Sequence, residues 1–250
     1  MIGFIGYGNL AGSVSAGFMN KGVFEPRDIA IFDKSDASKE RAKALGIAVA
    51  QDINTLITMC DTVVLAVKPY VFAELLSTFD TGLLKGKTLI SFMACYPLEK
   101  LENDLKDCKI VRIIPTIAIK FGEDTIALAS NAQNVDDVVA LFSNLGTVHH
   151  VKEDMLDRIM IGASSGLGFA AEIMSMYEKA VMSMGISKEL AHSITANTFV
   201  NAAKFEDFDD LASKVATKGG VTEKGLFVMR DENMAQTIKK AIQTAENVIK

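Results

Sequence analysis

The chain has 250 residues, of which 49% are hydrophobic, so it can bury one large core or two smaller ones. Its formal net charge is −5 and its lysines and arginines do not cluster, which argues against nucleic acid as a partner. The apolar runs are short, the start does not resemble a secretory signal, and the three cysteines form no close pairs. We therefore expect a cytoplasmic enzyme that acts on a small molecule, with no membrane span and no metal site.

Through about residue 150, segments typical of strands alternate with segments typical of helices. Six β-branched runs are expected to be strands: residues 2–5, 29–32, 62–67, 88–92, 110–114 and 125–128. The amphipathic segments between them, such as 37–45, 98–105 and 135–145, are long enough to be crossover helices. This alternation predicts an α/β domain with a doubly wound parallel sheet over residues 1–151.

The residues after the first expected strand match the G-x-G-x-x-G/A fingerprint of dinucleotide-binding (Rossmann) domains: Gly6, Tyr7, Gly8, Asn9, Leu10 and Ala11. Gly6 permits the tight turn, Gly8 lets the backbone approach a pyrophosphate, and Ala11 lets the following helix pack closely on the strand. Free N–H groups and the positive end of that helix attract phosphates. We therefore interpret residues 1–151 as a Rossmann domain that binds a nicotinamide dinucleotide.

The end of the second expected strand bears on which dinucleotide is bound. Asp33 stands where a carboxylate in such folds accepts hydrogen bonds from the ribose hydroxyls of NAD and repels the 2′-phosphate of NADP. Lys34 and Ser35 favour the opposite choice. These three residues leave NAD and NADP both open.

Further cofactor contacts are expected at the carboxyl ends of the later strands, where the cofactor crevice of such sheets lies. The candidates are Ala66, Val67, Lys68, Pro69, Ala94 and Thr116. Lys68 would lie near the nicotinamide ribose, although it could equally be a solvated lysine before a helix that begins at Pro69. The sequence marks no activating partner for Cys95, which favours a small buried thiol over a nucleophile.

After about residue 152 the strand-like runs stop and long helical segments begin, the first of them over residues 154–184. Gly185 is expected to end that helix, because glycine readily takes the left-handed conformation found just past helix ends. Ser187 is expected to cap the next helix. We predict an all-helical second domain over residues 152–250, whose apolar stripes could serve self-association or simply form an internal core.

Two clusters of small residues interrupt this helical region. The first, residues 162–166, contains Ser164 and Ser165 and lies within a helix, where its glycines indicate the close approach of another group. The second cluster consists of Thr217, Lys218, Gly219, Gly220, Val221 and Thr222. Its paired glycines precede an expected helix and would expose amide donors suited to a carboxylate, although an ordinary threonine-capped turn would look the same.

In this order, the motifs resemble those of the pyrroline-5-carboxylate reductase family over essentially the whole chain. The glycine turn is similar to the family's start, residues 66–69 to its Val-Lys-Pro signature, residues 111–115 to the approach to its Met-Pro-Asn-Thr-Pro segment, and residues 219–222 to its Ser-Pro-Gly-Gly-Thr-Thr loop. The resemblance implies reduction of 1-pyrroline-5-carboxylate to L-proline, in proline biosynthesis, with NADPH favoured over NADH. It also implies a homodimer or larger homo-oligomer formed through the helical domain.

The resemblance further implies roles for the small-residue clusters. In the family, the amides of the glycine-rich loop hold the substrate carboxylate, and the loop's final threonine hydrogen-bonds the ring nitrogen. Thr222 is therefore the candidate catalytic residue. The candidate substrate contacts are Ser164, Ser165, Thr217, Gly219, Gly220 and Val221.

The chain also departs from the family's motifs. Residues 116–118 read Thr-Ile-Ala where the family has Asn-Thr-Pro, residues 165–168 replace Ser-Pro-Ala-Tyr, and residues 217–218 replace Ser-Pro. These changes leave two alternatives: a reductase of a different small imine, or a paralogue that senses nucleotide without catalysis.

Overall fold

The computed structural model describes residues 1–249, which form two compact units, Met1–Ser164 and the helices from Ser165 onward. The first unit contains one eight-stranded sheet. Its strands are β1 (Ile2–Ile5), β2 (Ile29–Phe32), β3 (Ala48–Val49), β4 (Thr62–Leu65), β5 (Thr88–Ser91), β6 (Lys109–Ile114), β7 (Asp124–Ala129) and β8 (Gly146–His150).

The strands lie side by side in the order β3-β2-β1-β4-β5-β6-β7-β8. Neighbouring strands are parallel except β6 and β7, which are antiparallel. The chain leaves β1 towards β2 on one side and later returns to β4 on its other side. This reversal of strand order is a topological switch point, and ligands of such sheets bind at its carboxyl edge.

Helices cover both faces of the sheet in the first unit. They are α1 (Asn9–Asn20), α2 (Asp36–Ala44), α3 (Ile53–Met59), α4 (Pro69–Leu75), α5 (Leu98–Asp104), α6 (Asp136–Phe142) and α7 (Glu153–Met160). Successive strand side chains enter two different apolar cores, as Phe4 and Ile5 do, because side chains alternate along a strand. Phe18 of α1 fills one core and Leu156 of α7 the other. The doubly wound α/β prediction is confirmed.

The predicted strands all occur, with ends within two residues of the expected positions. Two short strands were missed. β3 has two residues, and β8 is half-exposed and ends in His149 and His150, so neither carries a clear apolar signal. The expectation of a wholly parallel sheet was wrong at β7. The link from Ile114 to Asp124 is shorter than the roughly twelve residues that a parallel crossover needs, so the chain reverses direction.

Every regular element of the second unit among the described residues is a helix, as predicted. Its helices are α8 (Gly166–Met182), α9 (Lys188–Ala202), α10 (Phe208–Val215), α11 (Val221–Asp231) and α12 (Met234–Ile249). Gly185 follows α8 with φ of +84°, and the Ser187 hydroxyl accepts a hydrogen bond from the Leu190 N–H at 3.3 Å. Both predicted helix-end residues therefore have the expected roles.

The single helix expected over residues 154–184 is divided. α7 is followed by a π-helical turn, Ile161–Ser165, and then by α8. The first small-residue cluster forms this turn, and such turns are frequent at functional sites. α7 packs against β6 and β7, so the first compact unit extends past the boundary expected after residue 151.

The continuous helical segment Glu153–Met182 is also long and apolar enough to cross a membrane, with a mean hydropathy of 1.3 over its most apolar window. This property rests on length and composition alone. A helix that packs against protein can share it.

Candidate functional site

The glycine turn joins β1 to α1 with the backbone that its sequence predicts. Gly6 has φ of +90°, and a Cβ atom there would lie 2.6 Å from Cγ1 of Val67 and 2.8 Å from the Ala66 carbonyl oxygen. Gly8 precedes α1 in an extended conformation, with open space where a Cβ would be. The N–H groups that begin α1 can therefore approach a pyrophosphate closely. The cradle fits a dinucleotide.

Two residues of the fingerprint pack inside the unit and stabilise the turn. The Tyr7 hydroxyl shares a hydrogen bond of 2.8 Å with Ser15 Oγ, and Ala11 is buried against the sheet. The Arg41 guanidinium lies 5.2 Å from the centre of the Tyr7 ring and donates a hydrogen bond to the Tyr7 carbonyl. The side chain of Tyr7 is thereby fixed in the core.

A cavity of about 500 Å³ lies at the carboxyl edge of the sheet, and this size is typical of small-molecule sites. We call it the main cavity, because the glycine turn and the ends of the later strands meet in its lining. It brings together nine of the residues that the sequence predicts: Gly8, Asn9, Leu10, Ala66, Val67, Lys68, Pro69, Ala94 and Ser164. Five further residues line the cavity: Phe92, Met93, Ile114, Pro115 and Met160. Four of these five stand at the ends of β5 and β6, so strand-end position was a usable signal for them. Met160 carries no such signal.

Asp33 lies beside the glycine turn, and its carboxylate is already engaged. One oxygen accepts a hydrogen bond from the Tyr7 N–H at 2.6 Å, and the other accepts one from the Ser35 N–H at 2.7 Å. With Gly6, Lys34, Ser35 and others it lines a second cavity of about 270 Å³. Asp33 therefore ties the end of β2 to the glycine turn.

Positive charge surrounds the end of β2. Lys34, Lys39 and Lys43 line a third cavity of about 540 Å³ next to Asp33. Lys39 pairs with Asp36 at 3.0 Å and Lys43 with Glu40 at 2.8 Å, whereas Lys34 has no ion-pair partner among the described residues. Lys34 is therefore the uncompensated cation at the place where the adenosine ribose of a dinucleotide binds.

Thr116 does not line the main cavity, and its hydrogen bonds stabilise the fold instead. Its N–H donates to one carboxylate oxygen of Asp124 at 2.7 Å, and its hydroxyl donates to the other at 2.9 Å. The same hydroxyl accepts a hydrogen bond from the Ala118 N–H. Its neighbours Ile114 and Pro115 reach the cavity instead.

Cys95 is exposed, so the expectation of a buried thiol was wrong. Its backbone is left-handed, with φ of +54°, and its N–H donates to Asp157 Oδ1 at 3.2 Å. Desolvation and the Asp157 carboxylate raise the pKa of the thiol, which disfavours a thiolate nucleophile. The loop conformation, invisible in the sequence, turns this residue outward.

The second small-residue cluster forms an exposed turn before α11, in the second compact unit. Gly219 has φ of +77°, the Gly220 N–H donates to the Thr217 carbonyl at 2.8 Å, and the Gly219 N–H donates to Glu223 Oε2 at 2.7 Å. Gly220 is the residue that precedes α11. Thr222 follows in the first turn of that helix, whose N–H groups have no acceptor within the helix. The predicted Gly219 and Gly220 donors, by contrast, are engaged within the turn. Ser165 belongs to this unit as well.

The glycine turn and the cavity at the switch point define the class: a Rossmann-type protein that binds a dinucleotide at the carboxyl edge of its sheet. Across residues 1–249, no group of three or more histidine, cysteine, aspartate or glutamate side chains could hold a metal ion.

Comparison with known proteins agrees with this class. Residues 1–95 match the family model described as NADP oxidoreductase coenzyme F420-dependent, and residues 153–250 match the model described as pyrroline-5-carboxylate reductase dimerisation. The chain is 29% identical to pyrroline-5-carboxylate reductase of Aquifex aeolicus, over 96% of this chain and 93% of the relative. The chain is similar to pyrroline-5-carboxylate reductases over nearly its full length and is an oxidoreductase.

Solved structures extend the likeness across both units. Pyrroline-5-carboxylate reductase from Streptococcus pyogenes has a TM-score of 0.85 and 25% identity, covering 99% of this chain and 97% of its own. The Plasmodium falciparum pyrroline carboxylate reductase with NADP bound has a TM-score of 0.89 at 22% identity, covering 99% of this chain and 96% of its own. The second comparison establishes the shared fold.

Proposed function

We propose that this chain reduces 1-pyrroline-5-carboxylate to L-proline with NADPH. The observation that carries the proposal is the glycine cradle and its cavity, in a chain similar to pyrroline-5-carboxylate reductases over nearly its full length. The family model of residues 1–95 names NADP oxidoreductases. When bound, NADPH supplies the hydride for the imine carbon.

The chain's own residues bind and orient. The N–H groups at the start of α1, beyond Gly8, hold the pyrophosphate, and Lys68 contacts the nicotinamide side from the end of β4. Met93 and Ala94, on the loop after β5, lie on the far side of β1 from Asp33 and so face the nicotinamide end. Most of the rate enhancement then comes from holding the nicotinamide and the imine close together in the orientation that hydride transfer requires.

The choice of NADPH over NADH rests on the end of β2. Both oxygens of the Asp33 carboxylate accept backbone N–H bonds, which neutralises part of their charge and lowers their demand for ribose hydroxyl donors. Lys34, which has no carboxylate partner among the described residues, is free to pair with a 2′-phosphate. The Ser35 hydroxyl and its neighbours add polar partners beside it.

The substrate end of the reaction is assigned to the turn before α11. Amide N–H groups in the first turn of α11, which begins at Val221, would hold the substrate carboxylate, and the Thr222 hydroxyl would donate a hydrogen bond to the ring nitrogen. The Gly219 and Gly220 N–H groups donate within the turn, so they would contact the substrate by exchanging those partners for it. Thr217, Val221, Ser164 and Ser165 would complete the substrate contacts. A hydroxyl at the nitrogen orients the imine and can pass a proton to the product amine.

Assembly of the enzyme is proposed to occur through its second unit, as a homodimer or a larger homo-oligomer. The family model that covers residues 153–250 describes a dimerisation domain. Large apolar side chains are exposed along these helices in the single chain, including Phe208, Phe227 and Val228. Burial against another copy of the chain also accounts for the apolar character of Glu153–Met182. We place the enzyme in the cytoplasm, because its three cysteines are free thiols.

The test is direct. Purified protein with 1-pyrroline-5-carboxylate should oxidise NADPH, measured by loss of absorbance at the nicotinamide band. Thr222→Ala should lower kcat by about 10²- to 10⁴-fold, the usual contribution of a positioned proton donor, while nucleotide affinity is retained. Thr195→Ala is the control, because Thr195 is a buried threonine of α9 in the same unit and is not part of the turn.

Two outcomes would contradict the proposal. Absence of imine-dependent oxidation with NADPH or NADH would reject the activity, and nucleotide binding without turnover on any small imine would favour the nucleotide-sensing alternative. Full activity of Thr222→Ala would reject the role of that hydroxyl and leave the activity standing.

A further inference from the structure

Arg112 is a buried cation in the middle of β6, and the proposed reaction does not use it. Its side chain is only 2% exposed, beneath α7. Nη1 donates to Glu153 Oε1 at 2.8 Å, and Nη2 donates to Asp157 Oδ1 at 3.2 Å and to the Met93 carbonyl at 3.2 Å. Burying the Arg112 guanidinium in the sheet costs desolvation free energy, which these hydrogen bonds and ion pairs offset.

The two carboxylates also hold the loop that follows β5. Glu153 Oε1 accepts a hydrogen bond from the Leu98 N–H at 2.6 Å, and Asp157 Oδ1 accepts one from the Cys95 N–H at 3.2 Å. The guanidinium therefore fixes two side chains of α7, and these hold loop 93–98 at Cys95 and at Leu98, where the loop ends. Cys95 keeps a left-handed backbone, which a non-glycine residue adopts only where its surroundings enforce it.

Each of the three elements joined by Arg112 contributes to the wall of the main cavity. The loop supplies Met93 and Ala94, and β6 supplies Ile114. α7 supplies Met160, and the π-helical turn after it supplies Ser164. In the strand order, β5 and β6 lie on the opposite side of β1 from β2. The adenosine half binds at β2, so this wall faces the nicotinamide half.

We propose that Arg112 is a positioning residue, which sets the nicotinamide wall of the cavity by locking loop 93–98 to α7. The assignment to hydride transfer rests on the proposed function, whereas the effect on nucleotide binding does not. The guanidinium suits this task because its planar fork reaches two carboxylates and a carbonyl at once, which a lysine ammonium cannot do with the same geometry.

The experiment compares Arg112→Lys and Asp157→Asn with Lys109→Gln. Lys109 is on the same strand and pairs with Asp137 at 2.6 Å, but it does not line the cavity, so it controls for loss of an ion pair on β6. Calorimetry measures the affinity for NADPH and for adenosine 2′,5′-bisphosphate, which represents the adenosine half alone. Steady-state kinetics gives kcat and KM with the imine, and thermal unfolding checks the fold.

Arg112→Lys and Asp157→Asn are expected to lower kcat by about 10- to 100-fold, because small displacements of a reacting ring are costly. NADPH affinity should fall as well, while affinity for the adenosine fragment stays within about twofold of wild type, as expected for a distant independent site. Lys109→Gln should change none of these values.

Equal losses of affinity for NADPH and for the adenosine fragment would overturn the proposal, because they indicate a general structural role. Unchanged kcat and NADPH affinity in a folded Asp157→Asn protein would overturn it as well. If Arg112→Lys fails to fold, Asp157→Asn and Glu153→Gln give the same comparison. A wild-type protein inactive on 1-pyrroline-5-carboxylate would reject the proposed function, and the two nucleotide affinities would still decide the role of Arg112.

Discussion

Asp33 and Lys34 are adjacent in the chain but have opposite surroundings. The Asp33 carboxylate is held by two backbone N–H groups, whereas Lys34 has no ion-pair partner among the described residues. The sequence places both residues at the end of β2 and leaves the cofactor open. The hydrogen bonds of Asp33, which depend on the glycine turn lying next to it in space, favour NADPH.

Lys34→Ala is expected to raise KM for NADPH by about 5- to 30-fold and leave KM for NADH nearly unchanged, since a charge-assisted bond to phosphate contributes roughly 1–2 kcal/mol. Steady-state kinetics with both nucleotides gives the comparison. Lys85→Ala is the control, because Lys85 is an exposed lysine before β5, at the opposite edge of the sheet. An equal effect on both nucleotides would argue against a 2′-phosphate contact.

The scale of single residues also shows where sequence patterns stop being informative. Gly6 and Gly8 are recognisable because their spacing has a backbone meaning, which the φ of +90° at Gly6 confirms. The roles of Cys95 and Arg112 cannot be recognised from the sequence, because their contacts are with distant residues on α7. A cysteine after a strand predicts neither an outward thiol nor a loop held by an aspartate of another helix.

At the scale of elements, one buried carboxylate stabilises the link between β6 and β7. Asp124 is only 6% exposed and accepts hydrogen bonds from the Thr116 N–H, the Thr116 hydroxyl and the Thr125 N–H. These bonds satisfy the backbone of the link that brings β7 back antiparallel to β6. Since Ile114 and Pro115 begin this link and line the cavity, the same carboxylate supports the site.

Asp124→Ala is expected to destabilise the folded chain by about 2–4 kcal/mol, because it leaves the buried Thr116 N–H and hydroxyl without an acceptor. Chemical denaturation followed by circular dichroism measures the free energy of unfolding. Asp137→Ala serves for comparison, since that exposed partner of Lys109 should contribute less than about 1 kcal/mol. A similar loss of free energy of unfolding in both variants would show that Asp124 contributes no more to stability than an exposed ion-pair partner.

At the scale of the whole molecule, the second unit has too little core of its own. In α10, α11 and α12, no described residue is buried, while Phe227 and Val228 are more than half exposed. An apolar surface of this kind is normally covered by protein. The family's dimerisation domain, matched over residues 153–250, provides the natural partner: a second copy.

Light scattering after gel filtration should therefore give at least twice the 27.0 kDa of one chain. Phe227→Glu is expected to shift the protein towards monomer, because it places a charge on the covered face. Phe121→Glu is the matched control, as Phe121 is similarly exposed but belongs to the first unit. A monomeric wild type, or an equal shift by both variants, would contradict assembly through these helices.

The sequence by itself determined the doubly wound sheet, the glycine turn and the helical second unit. These features depend on local periodicity and on backbone conformations that glycine adopts most readily, and both are encoded within a few neighbouring residues. It also indicated the family through the order of its motifs along the chain.

The tertiary structure decided what depends on residues far apart in sequence. It placed β7 antiparallel to β6, gave Thr116 a structural partner in Asp124 in place of the cavity, exposed Cys95 and joined Arg112 to α7. The physical reason is that a buried charge or a short link is satisfied by whichever groups the fold brings near it. Local sequence patterns carry no record of those groups.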